Sequence, residues 1–292
     1  MKQRPAISTH PLAYLHLARL HKPMAIFLLF CPCLWGVAIG LQSADVFGTH
    51  KFVKYVFILF LGAIASRSFG CIVNDILDAN IDAKTNRTSS RPIAAKLITK
   101  KQAIKFALFF AVCGAILLFF LPLKAMLICC LSAPLIYIYP LAKRFTNLPQ
   151  VVLGCVFNLG IFVGYFCFAS KITLNVVILY LVAILWTIIY DTLYAMQDLA
   201  DDIANKTKSI TIFFGATEGK ILVNLIFLCF LIEFLFILTS SNLTQFAIFT
   251  SAFMFLLIVC IATMRQKIFY FTGFNLCNIF GVITLLGFLG WF

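Results

Sequence analysis

Apolar runs of roughly 20 residues recur along almost the whole chain, and each is long enough to cross about 30 Å of hydrocarbon as a helix. They fall near residues 24–42, 54–74, 104–121, 123–141, 149–169, 173–196, 219–239, 244–264 and 271–290, with Pro122 and Lys124 dividing the third from the fourth. A buried helix of a soluble protein needs polar elements around it. A chain that is 63% hydrophobic and 11% charged, with a mean hydropathy of +1.04, has none to offer. The expected architecture is therefore an all-α polytopic membrane protein, nine transmembrane helices in one bundle, with residues 1–292 forming a single domain.

Basic residues orient that bundle. With a cytoplasmic N-terminus, the cytoplasmic side receives Lys2, Arg4, Arg19, Lys22, Lys84, Arg87, Arg91, Lys96, Lys100, Lys101, Lys105, Lys143, Arg144, Lys206, Lys208, Lys220, Arg265 and Lys267. The opposite side receives only Lys51, Lys54, Lys124 and Lys171. The positive-inside rule thus predicts an N-in, C-out topology. The net charge of +13 is accounted for by loops facing anionic lipid, with no nucleic acid implied. The first thirteen residues lack the short apolar core and cleavage site of a secretory signal, so the first span itself is expected to target the membrane. Most of the eleven cysteines lie within apolar runs, where a thiol is a small hydrophobe; Cys31-Pro-Cys33 lacks CxxC spacing.

Against this background the acidic residues are informative. The chain has ten, and all but Asp45, Glu218 and Glu233 lie in two stretches, Asn74 to Asp82 and Asp191 to Asp202. If both are helical, Asn74, Asp78 and Asp82 recur every four residues on one face, and Asp191, Asp198 and Asp202 share a face at spacings of seven and four. Faces of like charge suggest that a cation joins them. Both lie at the predicted cytoplasmic ends of their helices, which places the expected active site on that side.

Basic groups accompany each stretch. Arg87 and Arg91 follow Asp82, Lys143 and Arg144 lie in the next cytoplasmic connection, and Lys206 and Lys208 follow Asp202. Carboxylates that hold a metal, beside Arg or Lys that bind oxygens the metal leaves uncovered, suit Mg²⁺ and a diphosphate. Arg67, seven residues before Asn74 within an apolar run, must find water, an anion or an acid inside the bundle, which suggests a substrate carrying its own carboxylate. Tyr194 lies on the carboxylate face, while Tyr137 and Tyr139 read either as an interfacial belt or as a hydroxyl-bearing wall. Arg19 and Lys22 read as neighbours of headgroups or of a phosphate. Residues 93–105 are compatible with a short surface helix. Asn158, beside Gly160 and Gly164, marks either a close helix approach or room for a long apolar chain. Glu233 lies within a span without an obvious partner.

Such a site would hold an allylic diphosphate as its carbon–oxygen bond ionises, shield the cation from water and let an aromatic acceptor attack it. Several motifs carry a resemblance to the UbiA superfamily of intramembrane prenyltransferases, and within it to the branch that prenylates 4-hydroxybenzoate for ubiquinone. They are Arg19-Leu20-His21-Lys22-Pro23, Arg67 with Gly70 through Asp78 and Asp82, Arg87-Thr88 and Arg91-Pro92, Tyr139-Pro140 with Lys143-Arg144, Leu148-Pro149-Gln150, and Tyr194 through Asp198 with Asp201-Asp202 and Lys208-Ser209. The resemblance covers essentially the whole chain. It implies Mg²⁺-dependent transfer of a polyprenyl group to the carbon ortho to the hydroxyl. Asp75, Asp78, Asp191 and Asp198 would be catalytic, and Asn74, Asp78, Asp82, Asp191, Asp198 and Asp202 would be metal-binding. Arg67, Asn74, Arg87, Arg91, Tyr139, Lys143, Arg144, Tyr194 and Lys208 would contact substrates, with Arg67 on the acceptor carboxylate. A bacterial inner membrane is the implied location, ahead of a mitochondrial one. His21 stands where such enzymes usually carry Asp, and Ala79 where Arg often follows.

Three other readings have distinct signatures. Farnesyl transfer to haem calls for histidines placed for a porphyrin, and His10, His16, His21 and His50 all lie in the first fifth of the chain. Prenylation of a different aromatic acceptor would leave the diphosphate machinery unchanged. An ion-coupled transporter would need no diphosphate leaving group.

Overall fold

In the computed structural model, residues 10–42, 48–83, 88–138, 145–204, 208–265 and 270–289 are described. They form helices α1 (His10–Leu17), α2 (Pro23–Gln42), α3 (Thr49–Asp82), α4 (Lys100–Leu118), α5 (Leu123–Ile138), α6 (Pro149–Phe157), α7 (Gly160–Phe166), α8 (Leu174–Ala195), α9 (Leu199–Ala204), α10 (Ile210–Phe213), α11 (Glu218–Thr239), α12 (Leu243–Arg265) and α13 (Tyr270–Leu289). Among the described residues there is no strand. Eight helical stretches are long and apolar enough to cross a membrane, the pair α6–α7 counting as one. The chain is thus a multi-pass membrane protein. The nine expected spans differ at one place: α5 has 16 residues and falls short, and residues 139–141 of that run lie outside the described residues.

The chain divides into two compact units, Met1–Phe27 with Val53–Leu121, and Leu28–Phe52 with Pro122–Phe292. In the first unit the seam of α3 follows a heptad: Ala65, Ile72 and Ala79 recur at seven, and Ser68, Asp75 and Asp82 recur at seven three places later, all six buried. The apolar members pack with Ala13, Leu17 and Ala18, with Ile93 and Ile98, and with Ala103, Ala107 and Phe110 of α4. The surface helix expected over 93–105 is not what forms. Turns continue to Ile98, and Thr99 then starts α4 with a capping box: its Oγ1 accepts from the Gln102 N–H at 3.3 Å, and its own N–H donates to Gln102 Oε1 at 2.9 Å.

In the second unit α8 is central, with Val182, Ala183, Trp186 and Thr187 fully buried. Two buried indoles bond to backbone carbonyls of α13, one from α2 and one from α8. Trp35 Nε1 donates to the Gly281 carbonyl at 2.9 Å and Trp186 Nε1 to that of Cys277 at 3.1 Å, with the two rings 5.2 Å apart. The run 149–169 is broken into α6 and α7 at Asn158. Its Nδ2 donates to the Gly154 carbonyl at 2.8 Å, to Ala183 at 3.1 Å and to Thr187 Oγ1 at 2.8 Å, pinning the break to α8. The glycines beside it serve close approach. A Cβ on Gly164 would overlap the Cys33 carbonyl, and one on Gly36 the Ile161 carbonyl, so α2 and α7 touch through backbone. Glu233 has a partner, accepting from Thr250 Oγ1 at 2.8 Å.

Candidate active site

The polar members of the α3 seam end in an ion-pair chain. Asp75, 2% exposed, receives Arg19 Nη2 on both carboxylate oxygens, at 3.0 and 3.1 Å. Arg91 Nη1 lies 3.1 Å from Oδ1 of Asp75 and 2.8 Å from Oδ2 of Asp82. Two buried like charges one heptad apart are thereby compensated by two guanidiniums, which burial of this kind requires. The segment that delivers Arg91 is itself ordered: Thr88 Oγ1 donates to the Asp82 carbonyl at 3.2 Å, and the Arg91 N–H to the Thr88 carbonyl at 2.9 Å.

The structure therefore sorts the first acidic stretch into two stripes. Asp75 and Asp82 lie in the buried seam, while Asn74 and Asp78 are half-buried on the adjoining face. The spacing of four that groups Asn74, Asp78 and Asp82 holds along the helix, but the ion pairs follow the spacing of seven. Arg67 is half-buried two turns before Asn74 on the same unbroken helix. Sequence reasoning missed Arg19 as a partner of Asp75.

The second acidic stretch is not one continuous α-helix. After α8 the chain tightens into a 3₁₀ turn at Met196–Asp198 before α9 begins, so its residues advance by about 120° rather than 100° there. Asp191, Tyr194, Asp198 and Asp202 are all half-buried. The Tyr194 ring packs on Phe274 with centroids 5.2 Å apart, fixing its position from α13. Lys208 is exposed, just ahead of Ser209, whose Oγ lies 2.8 Å from Thr211 Oγ1. Buried Gln150 gives the Leu148-Pro149-Gln150 motif a structural purpose: its Oε1 accepts the Ile210 N–H at 3.3 Å, joining the start of α6 to the start of α10. Arg87, Tyr139, Lys143 and Arg144 lie outside the described residues.

The donors suit a hard cation: every candidate ligand offers carboxylate or amide oxygen. Among the described residues no three His, Cys, Asp or Glu side chains converge on a cage.

A membrane-embedded helical fold with two acid-rich helix ends, the first interlaced with arginines, defines a class, and residues 29–273 match the model of the UbiA prenyltransferase family. The chain belongs to that family. Among its relatives is the mitochondrial 4-hydroxybenzoate polyprenyltransferase of Dictyostelium discoideum, 39% identical over 212 residues, which are 72% of this chain and 45% of that protein. The 4-hydroxybenzoate octaprenyltransferase of Legionella pneumophila (strain Paris) is 34% identical over 211 residues, 72% of either chain. The match thus spans less than half of the Dictyostelium protein and nearly three quarters of the Legionella one. The fold is shared with a UbiA homologue from Aeropyrum pernix K1 in its apo form, at a TM-score of 0.71, 20% identity and coverage of 90% of this chain and 97% of that one. It is shared also with a UbiA homologue from Archaeoglobus fulgidus bound to DMAPP and Mg²⁺, at 0.66 and 14%, covering 94% and 99%.

Proposed function

We infer that the whole chain acts as a 4-hydroxybenzoate polyprenyltransferase, moving a polyprenyl group from its diphosphate to the ring carbon ortho to the acceptor's hydroxyl and releasing diphosphate. The observation that carries this reading is the Arg19–Asp75–Arg91–Asp82 chain, which gives a family member an ordered, arginine-bearing acidic helix end suited to a metal diphosphate. Support for the aromatic acid comes from Arg67 on the same helix and from relatives that carry this activity in their names.

Asn74 and Asp78 in the first stretch, and Asp191, Asp198 and Asp202 in the second, supply the oxygen donors for Mg²⁺. Held by those oxygens, Mg²⁺ would supply positive charge against the charge that develops on the diphosphate as the allylic carbon–oxygen bond ionises. Asp82, a further candidate ligand, also holds Arg91. Arg91, with Arg87, Lys143, Arg144 and Lys208, binds diphosphate oxygens and favours the leaving group. Asp75 acts by fixing guanidiniums rather than by touching substrate. Arg67 holds the acceptor carboxylate in a fork, orienting the ring, while Tyr194 and Tyr139 wall the site. The apolar surroundings exclude water, so the ring rather than a hydroxide captures the allylic cation and then loses its proton. The site opens to the cytoplasm, and the enzyme works in a bacterial inner membrane on the path to ubiquinone.

The test is to incubate membranes containing the protein with 4-hydroxybenzoate, a polyprenyl diphosphate and Mg²⁺, and to examine the product by mass spectrometry. A 3-polyprenyl-4-hydroxybenzoate is expected. Its absence, with hydrolysed prenyl alcohol or unchanged substrates instead, would reject the reading.

A further inference from the structure

Arg19 occupies a backbone conformation that arginine rarely adopts. The Leu20 N–H donates to the Leu15 carbonyl at 3.1 Å and the Arg19 N–H to that of His16 at 3.2 Å, closing α1 in the pattern whose left-handed position normally belongs to glycine. Arg19 fills that position with φ at 58°, where its Cβ crowds the backbone. Glycine would close α1 with less strain, so the side chain must supply something the turn does not need. What it supplies is a double contact on Asp75, 56 residues away.

Asp75 is also the carboxylate against which Arg91 is set, at 3.1 Å. Arg91 uses only Nη1 for Asp75 and Asp82 in these ion pairs, and its side chain remains 19% exposed. A planar guanidinium held at one nitrogen by two carboxylates has a fixed direction for its remaining N–H groups. Without Arg19, Asp75 would turn both oxygens toward Arg91 and draw it inward.

We propose that Arg19 is a positioning residue for diphosphate binding: it clamps Asp75, and the clamped carboxylate keeps Arg91 directed at the anion. This rests on the diphosphate chemistry inferred above. It differs in giving Arg19 no contact with substrate.

The test uses the full chain in lipid nanodiscs, with Mg²⁺ and inorganic pyrophosphate as the binding probe, beside steady-state kinetics. Arg19→Lys keeps the charge but loses the planar guanidinium and its longer reach to both oxygens of Asp75, and is expected to weaken pyrophosphate binding and raise the KM for prenyl diphosphate about tenfold, with the acceptor KM and melting midpoint little changed. Asp75→Asn should weaken pyrophosphate binding and raise the KM for prenyl diphosphate alike, with a lowered melting midpoint because it takes the carboxylate from a buried pair. In both binding and KM the double variant should be no worse than either single one, because both changes break one link. Arg19→Gly, which suits the turn, should keep α1 closed yet bind pyrophosphate as weakly as Arg19→Lys. Wild-type pyrophosphate binding in both Arg19 variants overturns the proposal. So do additive losses in the double variant, which would mean that Arg19 meets the anion itself, and parallel losses in both KM values with a lowered midpoint, which would mean a purely structural pair. A wild-type protein that binds pyrophosphate but forms no prenylated 4-hydroxybenzoate would defeat the functional reading while leaving this one to be judged on binding.

Discussion

Asp75 and Asp82 share one nitrogen of Arg91, which stands 3.1 Å from the first carboxylate and 2.8 Å from the second. Removing that guanidinium leaves two buried carboxylates one heptad apart, with Arg19 alone to balance them. Arg91→Ala is therefore expected to destabilise the first unit by about 3 kcal/mol, the lower end of what breaking a buried pair costs. Denaturant titration in a membrane mimetic would measure it. Arg91→Ala combined with Asp82→Asn should recover part of the loss.

Arg67 lies on α3 two turns before Asn74, half-buried. Arg67→Ala is expected to raise the KM for 4-hydroxybenzoate by about 100-fold or more, the value of a charge-assisted fork, while the KM for prenyl diphosphate changes little. Arg67→Lys should recover only a part, since an ammonium cannot match both carboxylate oxygens. Equal effects on both substrates would remove Arg67 from the acceptor.

Chelation by EDTA should abolish transfer, and Mg²⁺ should restore it. Asp78→Ala and Asp198→Ala should each lower kcat by about a thousandfold or more, because each removes charge that holds the metal against the leaving group. Their circular dichroism and melting midpoints should stay near wild type, both side chains being only half-buried. Near-normal turnover in either variant would take that residue out of the metal set.

His21 stacks on His16 with ring centroids 4.0 Å apart. Burial, then the charges of His16, Lys22 and Arg19, push its pKa below the ordinary 6.5, against the opposing pull of a backbone hydrogen bond at Leu15. The unfolded chain thus takes up a proton more readily than the folded one. Stability is full above 6.5 and is lost as pH falls from there through the lower folded value. The melting midpoint is expected to drop as pH falls from about 7.5 to about 5.5, and His21→Asn should flatten that dependence.

The apolar runs made the fold class legible, because a lipid-facing helix must be apolar over a fixed length. Asn158 was visible as an anomaly, but only the structure shows that its amide reaches α8 and breaks the run in two. Spacing within α3 linked its acids to one another. It could not link Asp75 to Arg19, since no period joins a turn after α1 to a helix 56 positions on, and a left-handed arginine is the opposite of what turn chemistry favours. The tightened 3₁₀ turn at Met196–Asp198 carries no Pro or Gly to announce it, so the regular spacing read through Asp202 was an extrapolation of ideal helix geometry. Glu233 looked isolated for a related reason: its partner, Thr250, is a residue whose hydroxyl carries no charge pattern to search for.

Of the chain's three tryptophans, Trp35 and Trp186 lie together in the interior of the second unit, and residues 1–27 and 53–121 contain none. The paired indoles, 5.2 Å apart and each bonded to a backbone carbonyl, are an optical label already written into the protein. Their near-ultraviolet circular dichroism follows the packing of α2, α8 and α13. A melting curve recorded from that pair reports on the second unit, and the Arg19 turn and the acidic end of α3, which carry no tryptophan, call for a probe of their own.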